Sequence, residues 1–150
     1  DKYFLMLLPD DLIIKKNCSK SMIMVHKKFK TSVMASMKVN KSDVSRWGIY
    51  NIKKKIDKNN FIINNVVEKP SIKTSPSNNA VIGRYILPKT IFSKLKSLKP
   101  GKNGEFHITD AIQALIEDDH QFIGHNFSGK YLDCGTMKGY IKSTLEISKQ

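Results

Sequence analysis

The sequence predicts an α/β protein, with helices packed on a sheet that contains parallel strands, and three observations carry that reading. Six consecutive apolar residues, Tyr3 to Leu8, cannot alternate between core and solvent, so they read as a strand buried on both faces, as in the middle of a parallel sheet. A helical repeat from Ser19 to Lys30 and a second strand-like run from Thr31 to Val39 follow, and a right-handed crossover makes the two strands parallel. The length, 150 residues, suffices for one domain with a sizeable core.

The first run ends in Pro9-Asp10-Asp11, which places two carboxylates at the carboxyl end of a strand, where open α/β sheets hold their ligands. The pair is either an acidic turn or a split pair, one carboxylate facing a cation or substrate and the other anchoring the loop. In the helix that follows, Met22, Ile23, Val25 and Phe29 share a buried face, and Lys27, Lys28 and Lys30 suit its carboxyl end. His26 beside that face reads as structural, since no second ligand stands at metal spacing.

Lys41 to Arg46 reads as a short helical turn broken at Trp47-Gly48-Ile49. The stretch from Ile52 to Asn60 is a hairpin with an exposed tip, returning through a strand from Phe61 to Val67 into Glu68-Lys69-Pro70. Pro70 is expected to hold Lys69 extended, with the Glu68 and Lys69 side chains pointing in opposite directions. Ser71 to Ser77 is a surface loop suited to a lid. Asn79 to Leu87 is a strong strand, with Gly83 inside it for close packing or a bulge. Pro88 suits the first turn of a helix reaching Leu98, with Ile91, Phe92 and Leu95 inward. After a loop from Lys99 to Gly104, Thr109-Asp110 opens a helix through Glu117. Gln121 to Phe127 and Tyr131 to Gly135 are two further strands, and a helix runs from Thr136 to about Ser148. Asp133 is thus a second carboxylate at a strand end. It can converge with Asp10, and magnesium is usually held by one or two carboxylates plus substrate phosphates.

The formal net charge is +13, from 26 Lys+Arg against 13 Asp+Glu. Arg46 and Arg84 are the only arginines, and Lys is mixed throughout with Ile and Asn, all with A/T-rich codons, so coding bias explains the charge as well as a polyanion does. Cys18 and Cys134 lack metal spacing and read as reduced cysteines of a cytoplasmic protein. No apolar run approaches the ~20 residues that cross a bilayer, so no membrane role is expected. Walker and Rossmann glycine loops, nucleophile elbows and zinc spacings are all missing from the sequence, so covalent catalysis is not signalled.

Six collinear stretches carry a resemblance: Leu7-Leu8-Pro9-Asp10-Asp11, Val44-Ser45-Arg46-Trp47-Gly48-Ile49, Val67-Glu68-Lys69-Pro70, the segment from Pro76 to Tyr85, the segment from Gly104 to Leu115, and Tyr131-Leu132-Asp133-Cys134-Gly135. Together they resemble the bacterial UTP:glucose-1-phosphate uridylyltransferases. The resemblance implies a nucleotide-diphospho-sugar transferase (Rossmann-like) fold with a mixed, mainly parallel sheet flanked by helices. The family's amino-terminal nucleotide loop has no counterpart here. The chain also begins with Asp1 and reaches a central-looking strand by Tyr3, so a missing part is expected before it. Residues 1–150 would then be the sugar-phosphate- and metal-binding part of a single nucleotidyltransferase domain, inactive alone.

By the same resemblance, UTP and glucose-1-phosphate are the substrates, magnesium is the cofactor, and UDP-glucose and pyrophosphate are the products. Asp10 and Asp133 correspond to metal ligands, Gly48 to the glycine whose backbone faces the sugar, Glu68 to the acceptor of glucose hydroxyls and Lys69 to the sugar-phosphate ligand. Lys69 and Asp10 are the catalytic candidates, Asn78 and Val81 fall where the family lines its sugar pocket, and Asp11 is assigned to holding the loop. Trp47 replaces an expected Tyr and His107 an expected Gln. A homo-oligomer is implied. The alternatives are a thymidylyl- or guanylyltransferase, or a basic nucleic-acid-binding domain; the resemblance itself implies no nucleic-acid partner.

Overall fold

The segment after the acidic turn becomes helical because the Asn17 side chain accepts the Lys20 amide at 2.9 Å, capping α1 (Cys18–Phe29). The helix stops at Lys30, which takes a left-handed conformation (φ 56°) and donates its N–H to His26 O at 2.7 Å. Cys18, Met22 and Val25 form its buried stripe. In the computed structural model, which describes residues 2–100, 104 and 106–149, α1 lies among β1 (Tyr3–Leu7), β2 (Asp11–Ile14), β3 (Ser32–Lys38), a 3-10 turn (Lys41–Arg46), β4 (Gly48–Lys55), β5 (Asn60–Glu68) and β6 (Asn79–Pro88). Then come α2 (Ile91–Ser97), α3 (Ile108–Glu117), β7 (Phe122–Asn126), β8 (Lys130–Asp133) and α4 (Met137–Ile147). The loop expected from Lys99 to Gly104 falls partly outside the described residues, as does Glu105.

A six-stranded sheet runs in the order β1-β6-β3-β7-β5-β4, and β4 returns to pair with β6 at Ile49 and Ala80. One face carries α1, where Met22 and Val25 pack with Val33, Ala35, Ile82 and Ile123. The other carries α2 and α3, where Ile91, Ile112 and Leu115 pack with Met34, Tyr50, Tyr85 and Phe122. Each such fully buried aliphatic or aromatic side chain contributes about 1.5–3 kcal/mol. β2 and β8 form a separate antiparallel pair, against which α4 packs.

The sheet is mixed, but the expectation that it is mainly parallel is corrected. Among the described residues β3–β7 is the parallel pairing, and all the others are antiparallel. The cause is local: β4 and β5 form a hairpin with a short tip, and β6 inserts antiparallel between β1 and β3. β1 and β3 therefore share a direction, as the crossover argument requires, without being neighbours.

β1 is also not the doubly buried strand. Among the described residues it pairs with β6 alone, and Leu5, Leu7 and Leu8 are 38%, 49% and 38% exposed. That role belongs to β3, whose first five residues are all buried. An apolar run shows that both faces of a strand are apolar, not what covers them. β2 was not expected, although Leu12-Ile13-Ile14 is a short apolar run ending in two β-branched isoleucines, of the type strands favour. Pro88 ends β6 instead of opening a helix, and Phe92, expected inward, is 52% exposed and stacks on Phe4 at 5.3 Å.

Candidate active site

The floor of the site is an irregularity in β6. Met34 opposes Tyr85 while Ser36 opposes Val81, so β6 spends two more residues than β3 across this interval. Such bulges re-aim backbone groups and occur beside active sites. Here the Gly83 N–H donates to Asp11 Oδ2 at 2.5 Å. Only a glycine fits: a Cβ at position 83 would lie 2.4 Å from that oxygen and 2.6 Å from Leu8 Cβ. The expectation of a bulge or a close approach at Gly83 is met in both senses.

The acidic turn is held from several sides. Arg84 donates from Nη1 to Leu8 O at 2.9 Å and from Nη2 to Asp11 O, and the Tyr131 hydroxyl donates to Asp11 Oδ1. Burial, then the hydrogen bond to Asp11, pushes the Tyr131 hydroxyl well above the usual tyrosine range, so it remains a donor. Asp11 thus holds the loop, as expected of it.

Asp10 and Asp133 converge. The Cys134 N–H donates to Asp10 O at 2.8 Å and the Gly135 N–H to Asp133 Oδ1 at 2.9 Å. A Cβ on Gly135 would lie 2.8 Å from Asp10 Oδ2 and 3.4 Å from Asp133 Oδ1, so the two carboxylates flank one gap over bare backbone. Among the described residues no group of three or more His, Cys, Asp or Glu is placed to hold a metal. Two carboxylates with an open gap between them fit an ion whose remaining ligands are phosphates and water, the magnesium pattern.

The opposite end is built by the β4–β5 pairing, in which Gly48 faces Glu68. Glu68 Oε2 and Val81 Cγ2 lie 3.0 and 3.5 Å from where a Gly48 Cβ would stand. The Lys69 N–H donates to Trp47 O at 3.0 Å. This bond turns the chain: Lys69 is left-handed (φ 42°) rather than extended, and its Nζ lies 4.0 Å from Glu68 Oε1. The expected opposite orientation of the two side chains is therefore corrected; both border the same cleft.

Asp10, Asp11, Gly48, Glu68, Lys69, Val81 and Asp133 all line this one cleft, of about 550 Å³. Asn78 does not. Its amide donates to Val39 O at 3.2 Å, extending the β3–β6 contact. Thr109, Tyr85 and Tyr131 also line the cleft and were not singled out from sequence, although all three fall within the motifs that carried the resemblance. Burial, with the charges of Asp11 and Glu68 adding to it, pushes the Tyr85 hydroxyl far up, so it too stays protonated. Trp47 meets Tyr131 edge-on at 5.5 Å. His26, read as structural, is hydrogen-bonded within the fold, its Nδ1 to Thr31 O at 2.7 Å, and His125 is hydrogen-bonded between Asn60 and Ser21.

The fold is a mixed α/β sheet flooring a cleft with paired carboxylates at one end and a Glu–Lys pair at the other. The chain belongs to the nucleotidyl transferase family, whose sequence model matches residues 1–150. It is 35% identical over 147 residues to the UTP–glucose-1-phosphate uridylyltransferase of Pseudomonas aeruginosa, covering 96% of this chain and 52% of that protein. It is 35% identical over 149 residues to UTP–glucose-1-phosphate uridylyltransferase 2 of Staphylococcus saprophyticus, covering 99% of this chain and 51% of that protein. The structure resembles the crystal structure of apo UDP-glucose pyrophosphorylase with a TM-score of 0.92 (36% identity; 99% of this chain, 55% of the other). For a UDP-glucose pyrophosphorylase complexed with UDP-glucose the TM-score is 0.88 (37% identity; 99% and 57%). The chain therefore spans about half the length of the relatives it matches.

Proposed function

We propose that the protein transfers the uridylyl group of UTP to glucose-1-phosphate, giving UDP-glucose and pyrophosphate, and that this chain supplies the sugar-phosphate and metal end of the site. The observation that carries the reading is the gathering of Asp10, Asp133, Gly48, Glu68 and Lys69 in one cleft of a chain whose relatives bear that enzyme's name. The reaction is an in-line attack of a glucose-1-phosphate oxygen on the α-phosphorus of UTP, expelling pyrophosphate. Both reactants are anions, so the demand on the protein is to gather them and offset their repulsion. Lys69 contributes an ammonium at the sugar phosphate, Glu68 accepts from sugar hydroxyls, and the backbone at Gly48 lets the ring approach closely. Asp10 and Asp133 would hold a magnesium ion, which supplies positive charge to the phosphates when bound. The nucleophile is already ionised at neutral pH, so no general base is needed.

The test is pyrophosphate release by the protein expressed from its whole gene, offered UTP, dTTP or GTP with glucose-1-phosphate and magnesium. Activity with UTP that is lost in Asp10→Ala and Lys69→Ala is expected. Preference for another nucleotide, or parental turnover by both variants, overturns the reading. The family resemblance also supports a cytoplasmic, self-associating protein, which fractionation and light scattering check.

A further inference from the structure

We infer that Tyr131 and Asp11 are positioning residues for the divalent site proposed above, and that Asp11 itself binds no ion; the inference rests on that reading. Asp10 lies in a tight turn between β1 and β2, and the turn's own backbone bond, Asp11 N–H to Leu8 O, is long at 3.4 Å. A surface turn held only by that contact would sample many positions for the Asp10 carboxylate. The restraint comes from outside the turn. Both Asp11 carboxylate oxygens are engaged by protein donors on different strands: Oδ1 by the Tyr131 hydroxyl on β8, and Oδ2 by the Gly83 N–H on β6.

Tyr131 stands two residues before Asp133 on the same short strand. Its hydroxyl therefore ties the strand that bears one carboxylate to the turn that bears the other. The Cys134 N–H, donating to Asp10 O at 2.8 Å, closes the loop from the other side. Asp10 Oδ2 faces the gap over Gly135, while both oxygens of Asp11 face protein donors. The division of labour between adjacent carboxylates is thus written in their partners. Outer residues that orient metal ligands typically set metal affinity by about 10–100-fold.

Conservative variants separate positioning from ligation. In Asp11→Asn, the amide oxygen can accept from Gly83 while the NH2 donates to the Tyr131 hydroxyl, so the geometry survives without the charge. Tyr131→Phe keeps the ring against Trp47 and removes only the hydroxyl. Manganese binding is followed by the EPR signal of the free ion, in protein expressed from its whole gene. We expect Tyr131→Phe and Asp11→Ala to weaken binding roughly tenfold or more, and Asp11→Asn to stay within about threefold of the parent. An Asp11→Asn variant as weak as Asp11→Ala makes Asp11 a ligand and overturns the inference; so does a Tyr131→Phe variant that binds like the parent. If Asp11→Ala does not fold, Tyr131→Phe against Asp11→Asn decides alone. Asp10→Ala separates the two levels of argument. If it binds manganese normally, the metal site is misplaced and the inference falls with it. If it loses binding while Tyr131→Phe keeps it, the inference alone fails.

Discussion

Asp11 and Asp133 stand directly opposite each other in the antiparallel β2–β8 pairing, which puts two carboxylates on the same face of a two-stranded ribbon. Like charges so placed are destabilising. The fold offsets this with donors: Tyr131 and Gly83 on Asp11, and the Gly135 N–H on Asp133. Asp10 brings a third carboxylate to the same corner, leaving negative charge that the proposed magnesium ion would relieve. Magnesium should therefore raise the melting temperature. By mass action, tenfold the dissociation constant adds about 1.4 kcal/mol, roughly 3–6 °C at this chain length. Asp133→Asn should raise the metal-free melting temperature and abolish the magnesium response. A magnesium-insensitive parent would remove the cation from this corner.

Gly83→Ala and Gly135→Ala should separate fold from site. At Gly83 the new methyl meets Leu8 Cβ at 2.6 Å, close to backbone, so the strand itself must shift, at about 1–3 kcal/mol. At Gly135 it meets the far end of the Asp10 side chain at 2.8 Å, which can swing away. Gly135→Ala should therefore unfold within about 1 kcal/mol of the parent in urea. It should nevertheless lose magnesium-dependent activity by tenfold or more, roughly 1.4 kcal/mol in the transition state. Equal loss of stability in the two variants would contradict this.

The division between these glycines shows what the sequence could and could not reveal. The motif ending Asp133-Cys134-Gly135 was visible, and so was the glycine inside the strand from Asn79 to Leu87. The partner of Gly83 was not. Asp11 lies 72 residues away, and the bond depends on a register shift between β3 and β6 that nothing local encodes. Element positions were legible wherever period and turn chemistry act locally, as at α1 and the β4–β5 hairpin. Strand order was not, because an apolar run such as Tyr3 to Leu8 reads alike at the edge and the centre of a sheet. Lys69 shows the same limit: the following proline argued for extended backbone, but the long-range bond to Trp47 O decided its conformation.

Glu68 and Lys69 should differ kinetically. Both side chains are about two-thirds exposed (65% and 66%) without substrate, so their mutual ion pair adds little to stability. Lys69→Ala should leave the melting temperature within about 2 °C and lower kcat/KM by about 100-fold, near 2.7 kcal/mol. Glu68→Gln should act mainly through the KM for glucose-1-phosphate. A large stability loss in Lys69→Ala would assign it to the fold instead.

His120 and His125 should both titrate below the ordinary value of 6.5, because burial disfavours the charged imidazole. A depressed folded-state value means that the unfolded chain takes up these protons first as pH falls. Their contribution to stability is complete above about pH 6.5 and is lost on acidification through the folded values. NMR titration of the imidazole protons checks the order, and a His125 that titrates above 6.5 would contradict it.

The thiols should differ as well. Burial pushes Cys18 up to about 11, whereas Cys134 is partly accessible. A disulfide reagent at pH 8 should modify one thiol per folded chain and two in denaturant. As pH rises from 9 towards 11, ionisation of Cys18 in the unfolded chain should erode stability, and thermal melts across that range measure the loss.

The irregularity in β6 also bears on how the proposed activity diversifies. Val81 lies against the Gly48–Glu68 end of the cleft, while Gly83, two residues on, is committed to Asp11 at the other. One short stretch of β6 thus reaches both ends of the cleft, with Ile82 alone between the two contacts. On the proposed reading, replacements around Val81 and Glu68 would exchange one sugar for another while the acidic corner keeps its shape. Directed evolution of altered acceptor choice in this protein should therefore collect its substitutions at the β4–β5 end.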